Sequence, residues 1–406
     1  MKKYTLFLCA LAASVTMTAQ TKMRIWQSGE DKVVRIAEAG DMTVNGNTIR
    51  IHGRDYQMSA IDSIVIVPQV TVAYSGTSAT VSIPASVAAD VTASVSGADV
   101  VITNHNVKNE CEIILSGNSQ DGSLTYNGNY KATFVLDGLN LTSQKGAPLD
   151  IQCGKRIALE LAEGTTNSLA DAASGSQKAC LYCKGHLEVE GAGSLSVSGN
   201  ARHAIATKEY LQLKKSTGSI TILKAASDAI HAGQYFQMNG GTITIDANTV
   251  ADGIQAEAIL LSDGKTIDPN EENNGQVIIK GGSLTATIVH EDCKGIKADT
   301  DVTISGGTLN IKAQGNGSRG IQLDGNLTIG DEDYSTDILI SAEGGLCTQA
   351  ECTQDPHRCM GIKVDGNLTV KGGRTTVTNT GKKSRGIKIG GAYNLLGGTV
   401  DATITQ

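Results

Sequence analysis

Asp228 and Asp252 are the residues of this chain whose type and spacing best suit chemistry. Each opens a copy of one short phrase: a charged or polar residue, then Gly or Ala, then Ile. The copies read His203-Ala204-Ile205, Asp228-Ala229-Ile230, Asp252-Gly253-Ile254, Lys294-Gly295-Ile296, Arg319-Gly320-Ile321, Met360-Gly361-Ile362 and Arg385-Gly386-Ile387. They follow one another at steps of 25, 24, 42, 25, 41 and 25 residues. Such a period marks a solenoid of stacked turns, so the first residues of the phrases form one column, expected at the surface. Two carboxylates on neighbouring rungs, about 5 Å apart, repel unless a cation or proton lies between them. Calcium takes six to eight oxygens, and paired Asp side chains with backbone carbonyls supply several, which makes Asp228 and Asp252 the candidate calcium ligands. Lys294, Arg319 and Arg385 follow in the same column and are candidate ligand-binding residues. A surface running from paired acids to basic groups suits an acidic sugar chain. A purely structural reading stands beside this one, because Asp-Gly is a common turn former and turn-to-strand junctions carry charge in many soluble proteins. No catalytic residue is assigned.

A second set, Glu257, Asp299, Asp324 and Asp365, falls three residues after the Ile of its phrase. Asp324-Gly325-Asn326 and Asp365-Gly366-Asn367 are turns in their own right, so this column is read as structural. Asn140 and Asn167 are read as turn caps or a short Asn ladder.

The elements that would position these residues are short strands. In residues 294–318, Val302-Thr303-Ile304 alternates, Gly306-Gly307 turns the chain, and Leu309-Asn310-Ile311 alternates again. Period two marks strands with one buried face. Gly-Gly recurs at 240–241, 281–282, 306–307, 344–345, 372–373 and 397–398, where left-handed turns are expected. Three strands and three turns per coil predict an all-β, right-handed parallel β-helix, with the phrase Ile residues stacked as an internal ladder. The two long steps are insertions. One lies around 262–276 and lacks the acidic spacing of an EF-hand loop. The other is split between GDEDYST and LCTQAECTQDPHRC, and its second part is expected to overhang the column at Met360.

Residues 1–19 read as a signal peptide, with Lys2 and Lys3 before an apolar run and small residues before Gln20. The protein is therefore expected to be exported, to the periplasm, the cell surface or the medium. Residues 20–68 read as a small β domain, with a hairpin signal at Asn45-Gly46, and 69–406 as the solenoid. Eight cysteines lie beyond Cys9. Cys347, Cys352 and Cys359 sit in an insertion where a disulfide staple would serve, and Cys180 and Cys183 are read as core thiols or a disulfide.

A net charge of −7 argues against nucleic acid or an anionic membrane as partner. No apolar run beyond the leader approaches membrane length. Aromatic residues are only 3% of the chain, and Trp26 lies outside the solenoid. The tyrosines at 126, 182, 210, 235, 334 and 393 look scattered, so polar or charged contact with a glycan is favoured over a row of stacking rings.

Several stretches resemble a known family: LDGLNLT (136–142), LAEGTTNSLAD (161–171), ACLYCKGHLEVEGAGSLSVSG (179–199), SDAIHAG (227–233), ADGIQAE (251–257) and KGIKADTDVTISGGT (294–308). Together they are similar to exported carbohydrate-binding parallel β-helix proteins, calcium-containing domains whose fold resembles polysaccharide lyases. The resemblance covers roughly residues 71–406. It implies calcium held by turn carboxylates and affinity for plant-type polysaccharides, including acidic ones, without lyase activity as a family trait. Here Lys294, Arg319, Met360 and Arg385 stand where the family pattern repeats Asp, which confines the expected metal to Asp228 and Asp252. The expectation is an exported, monomeric, non-catalytic polysaccharide-binding protein assisted by calcium. The alternatives are a calcium-dependent pectate-type lyase, with Lys294 or Arg319 as base, and a surface adhesin that needs only the solenoid.

Overall fold

The computed structural model describes residues 21–27, 30–35, 43–51, 53–331, 336–349, 352 and 357–405. The leader read at 1–19 lies outside the described residues. The chain divides into two compact units, Met1–Gln69 and Val70–Gln406.

In the first unit, strand Thr21–Gln27 pairs antiparallel with Glu30–Arg35 on one side and with residues 61–68 on the other. Thr43–Asn45, Thr48–Ile51 and Arg54–Gln57 form a three-stranded antiparallel meander. Asn45 pairs with Thr48, so the hairpin tip is Gly46-Asn47. Gly46 takes a φ of 59°, the left-handed geometry that two-residue hairpin turns favour. Ile25, Ile49, Ile51 and Tyr56 make its small core.

The second unit is a parallel β-solenoid. It begins with antiparallel pairs, 71–75 with Ser78–Ser82 and Val91–Ser96 with Asp99–Asn104. From there three stacks of short parallel strands run side by side. One is a 13-stranded sheet that carries every copy of the Gly/Ala-Ile phrase. A second runs from Ile157–Leu161 through Val302–Ile304 to Tyr393–Leu395, and a third from Thr166–Ala170 through Gly307–Ala313 to Thr399–Asp401. The expected aliphatic ladder is present: Ile205, Ile230, Ile254, Ile296, Ile321, Ile362 and Ile387 pair rung to rung and are buried. Leu181, Leu149 and Leu124 extend it toward the N-terminal end.

Two glycine positions explain the repeat. Gly307, the second of its pair, has a φ of 88°, and a Cβ there would lie 2.7 Å from the Gly282 carbonyl oxygen of the coil before. Gly320 in the phrase faces inward with its Ile, and its Cβ would meet Ile340 Cγ2 at 2.4 Å and the Gly361 carbonyl oxygen at 2.6 Å. Only Gly, or Ala at the first two copies, fits so close to both core and neighbouring coil. Asn167 is fully buried; its Oδ1 accepts the Leu139 N–H at 2.8 Å and its Nδ2 donates to the Ser194 carbonyl, so it ties three coils together.

Cys347 and Cys352 form a disulfide inside the second insertion, whereas Cys180, Cys183 and Cys359 are free and buried. Among the described residues no helix is long and apolar enough to cross a membrane.

Candidate functional site

Two kinds of position face away from the core on the 13-stranded sheet, and the column of phrase-opening residues differs from both. Lys294, Arg319, Met360 and Arg385 do align rung on rung. The column is not the exposed surface expected from its turn-to-strand position. His203, Asp228, Asp252, Arg319 and Met360 are each less than 9% exposed. Because Gly and Ile both point inward, the alternation breaks at the phrase, and the preceding residue lies along the corner, against its neighbours in adjacent coils. Asp228 Oδ1 accepts the Asp252 N–H at 3.1 Å, and Asp252 Oδ1 accepts the Lys294 N–H at 2.8 Å. Asp252 Oδ2 also lies 3.8 Å from Lys297 Nζ.

The basic rungs are similarly engaged. Asp292, itself left-handed at φ 54°, places Oδ1 3.5 Å from Lys294 Nζ, 3.5 Å from Arg319 Nη1 and 3.0 Å from His357 Nδ1. Lys294 also donates to the Asp292 carbonyl. The cysteine-bearing insertion packs here through His357 and through Thr348, which donates to Glu291. Lys294 and Arg319 are thus tied into the turn at Asp292 and are poorly placed to meet a large ligand. Arg385 lies one rung beyond Met360 and is partly exposed.

The outward column lies one residue after each Ile. It runs Thr125, Asp150, Tyr182, Ala206, His231, Gln255, Lys297, Gln322, Lys363, Lys388. Two residues further on, Lys184 and Lys208 precede Glu257, Asp299, Asp324 and Asp365, so this second outward column changes from basic to acidic along the solenoid. A groove of about 660 Å³ lies over the basic part, where Lys145, Lys178, Lys184 and Lys208 face Asp99 and Asp150. All four lysines are exposed. Lys145 Nζ is 2.9 Å from Asp99, and Lys178 Nζ sits 5.0 Å from the centre of the Tyr182 ring. Burial raises the Asp150 carboxyl, against the lowering effects of Gln152 and Lys178. A second groove of about 350 Å³ shares Lys178, Tyr182 and Lys208 with the first and reaches Arg202, His203 and His231. The sequence reading did not reach these lysines. They sit in coils at or before the first Gly/Ala-Ile copy, where no phrase marks the register.

In the second groove two imidazoles converge on one carboxylate. His203 Nδ1 is 3.2 Å and His231 Nδ1 3.1 Å from Asp228 Oδ2, and the rings are 4.6 Å apart. His231 Nε2 in turn meets Glu257 Oε2 at 3.2 Å. Burial would raise the Asp228 carboxyl, but the two imidazoles outweigh it and hold it well below the usual carboxylate range. Burial would lower His231, yet Asp228 and Glu257 push it up to about 9. Asp252 is shifted the other way: burial raises it, and Asp228 adds to that against the lowering by Lys294 and Lys297. The donors around the acid pair therefore match calcium poorly. One oxygen of each carboxylate is taken by a backbone N–H, and the open flank of Asp228 is nitrogen, whereas calcium wants an oxygen shell.

The tyrosines are less scattered than they look in sequence. His186, Tyr210 and Tyr235 occupy successive coils: Tyr210 and Tyr235 stack at 4.8 Å between ring centres, and the His186 ring lies 4.4 Å from Tyr210, tilted by 38°.

A family model described as "Carbohydrate-binding domain-containing protein" matches residues 96–406. A protein of the same description from Acetivibrio thermocellus is 32% identical over 117 residues, 26% of this chain and 40% of that protein. The chain thus spans about two fifths of the curated relative it matches. A solved structure described as a polysaccharide lyase-like protein from C. thermocellum, a gadolinium derivative, aligns at a TM-score of 0.48 and 25% identity, over 67% of this chain and 96% of that one.

Proposed function

We propose, from the premise that this chain belongs to the carbohydrate-binding domain-containing family, that it is an exported, non-catalytic binder of acidic polysaccharide whose contact surface is the lysine-lined groove of the 13-stranded sheet. A polysaccharide partner follows from the family. The preference for acidic chains rests on one observation: four exposed lysines against two aspartates in a groove on a protein of net charge −7. Lysine ammoniums on flexible stems suit carboxylates whose positions vary along a sugar chain. Export rests on the basic, apolar and small-residue order of residues 1–19. Calcium is assigned no part in this contact, because the donors at Asp228 and Asp252 do not suit it.

The test is retention of the protein on immobilised polygalacturonate and on neutral glucans, with and without a chelator, while ultraviolet absorbance is followed for new unsaturated ends. Retention on polygalacturonate alone is expected, unchanged by the chelator, weakened by salt and without new absorbance. Lys184→Glu with Lys208→Glu should lower it by about tenfold. Equal retention of that variant, or loss of retention in the chelator, overturns the lysine groove. New unsaturated ends would replace the binder with a lyase.

A further inference from the structure

Hydrogen bonding alone leaves the His203–Asp228–His231 cluster incomplete. His203 is 6% exposed, and its Nδ1, although 3.2 Å from Asp228 Oδ2, has no hydrogen-bond partner in a bonding direction. A buried imidazole nitrogen without such a partner is uncommon and asks for another occupant. The neighbouring groups are already arranged as a metal's supporting shell would be. His231 presents Nδ1 to the cluster while its Nε2 faces the Glu257 carboxylate, the carboxylate–histidine pairing that fixes a metal-binding imidazole. Asp228 is held from behind, through Oδ1, by the Asp252 N–H, leaving Oδ2 toward both rings.

We propose that His203 Nδ1, Asp228 Oδ2 and His231 Nδ1 bind a divalent first-row transition metal of the zinc class. The three atoms lie within 4.8 Å of one another. The two nitrogen-to-oxygen separations, 3.1 and 3.2 Å, match the edge of about 3.3 Å that bonds of about 2.0 Å give in a tetrahedron. Two imidazoles with one carboxylate select zinc, cobalt or nickel over calcium. Both rings line the smaller groove, so the fourth ligand comes from that side, as water or as an oxygen of a molecule lying there. A second cluster among the described residues, Asp292 with Cys352 and His357, is not equivalent, because Cys352 is bonded to Cys347. The metal proposal does not depend on the glycan assignment.

The test uses the full chain, stripped with chelator and titrated with zinc against a chromophoric competitor, and separately with cobalt(II) read by its visible d–d absorption. One zinc per chain is expected, undisturbed by millimolar calcium, with an intense cobalt spectrum of low-coordinate type. His203→Gln and His231→Gln should each weaken zinc by at least about tenfold and remove the cobalt bands, and Glu257→Gln should weaken zinc by about tenfold. Circular dichroism confirms that each variant is folded. Failure of the wild-type chain to take up zinc overturns the proposal. So does zinc that calcium displaces, or zinc bound as tightly by the folded histidine variants.

Discussion

The carboxylate of Asp228 accepts the backbone N–H of Asp252, 24 residues and one coil further on, at 3.1 Å. Asp252 repeats the act on Lys294 at 2.8 Å. The two acids thus link consecutive coils, each supplying the acceptor for the next rung's amide while its other oxygen meets cationic or imidazole groups. This makes them structural as well as chemical residues, and it sets what their removal should do.

Asp228→Ala should lower the urea midpoint, by a loss of about 2 kcal/mol, because it orphans the buried Asp252 N–H and the His231 imidazole at once. Asp228→Asn keeps an oxygen for the amide and should lose less. Equal losses for the two variants would show that the N–H contact contributes nothing. Since solenoids unfold coil by coil, the midpoints should be compared by both fluorescence and circular dichroism.

Gly320→Ala should destabilise by about 1–3 kcal/mol, since the new methyl meets Ile340 and the Gly361 carbonyl below 3 Å. Gly154→Ala, where a Cβ meets nothing within 4 Å, should leave the thermal midpoint nearly unchanged. The pair separates a stacking requirement from a general preference for glycine in turns.

Glu188, in the second stack, should make a pH-dependent contribution to stability. Burial would raise its carboxyl, but Lys214 at 3.0 Å, the Tyr210 hydroxyl at 2.9 Å and Arg156 at 3.3 Å hold it below the ordinary 4.5. A carboxyl lowered in the folded state stabilises fully above its unfolded value and loses that contribution as pH falls through the folded one. The difference in thermal midpoint between wild type and Glu188→Gln should therefore shrink from about pH 6 to about pH 3. A constant difference would mean that the ionised form matters little.

The thiols at Cys111, Cys153, Cys180, Cys183, Cys293 and Cys359 are all buried. Burial pushes Cys183 and Cys293 up to about 12. These six should resist iodoacetamide in the folded protein and react on denaturation, with mass spectrometry reading the sites. Labelling of any of them in the native state would show a coil that opens locally.

Sequence by itself determined the coil. The recurring Ile and the inward Gly or Ala before it follow from local sterics and period-two burial, and both read directly from residues 203–387. Strand alternation also marks Tyr182, His231 and Lys297 as outward. Tertiary structure alone decided what surrounds the residue before the Gly. That residue sits where alternation breaks, so its exposure depends on neighbours from other coils: Asp292 reaches Arg319, and His357 reaches Asp292 across 65 residues. The same holds for Asp228 and Asp252. Their spacing promised two carboxylates one coil apart, and they are there, with one oxygen of each accepting a backbone N–H, the other oxygen of Asp228 facing two imidazoles and that of Asp252 facing Lys297. Stacking brings His203 and His231, 28 residues apart in the chain, onto the same carboxylate, a convergence that depends on rotamers and coil register and not on spacing alone.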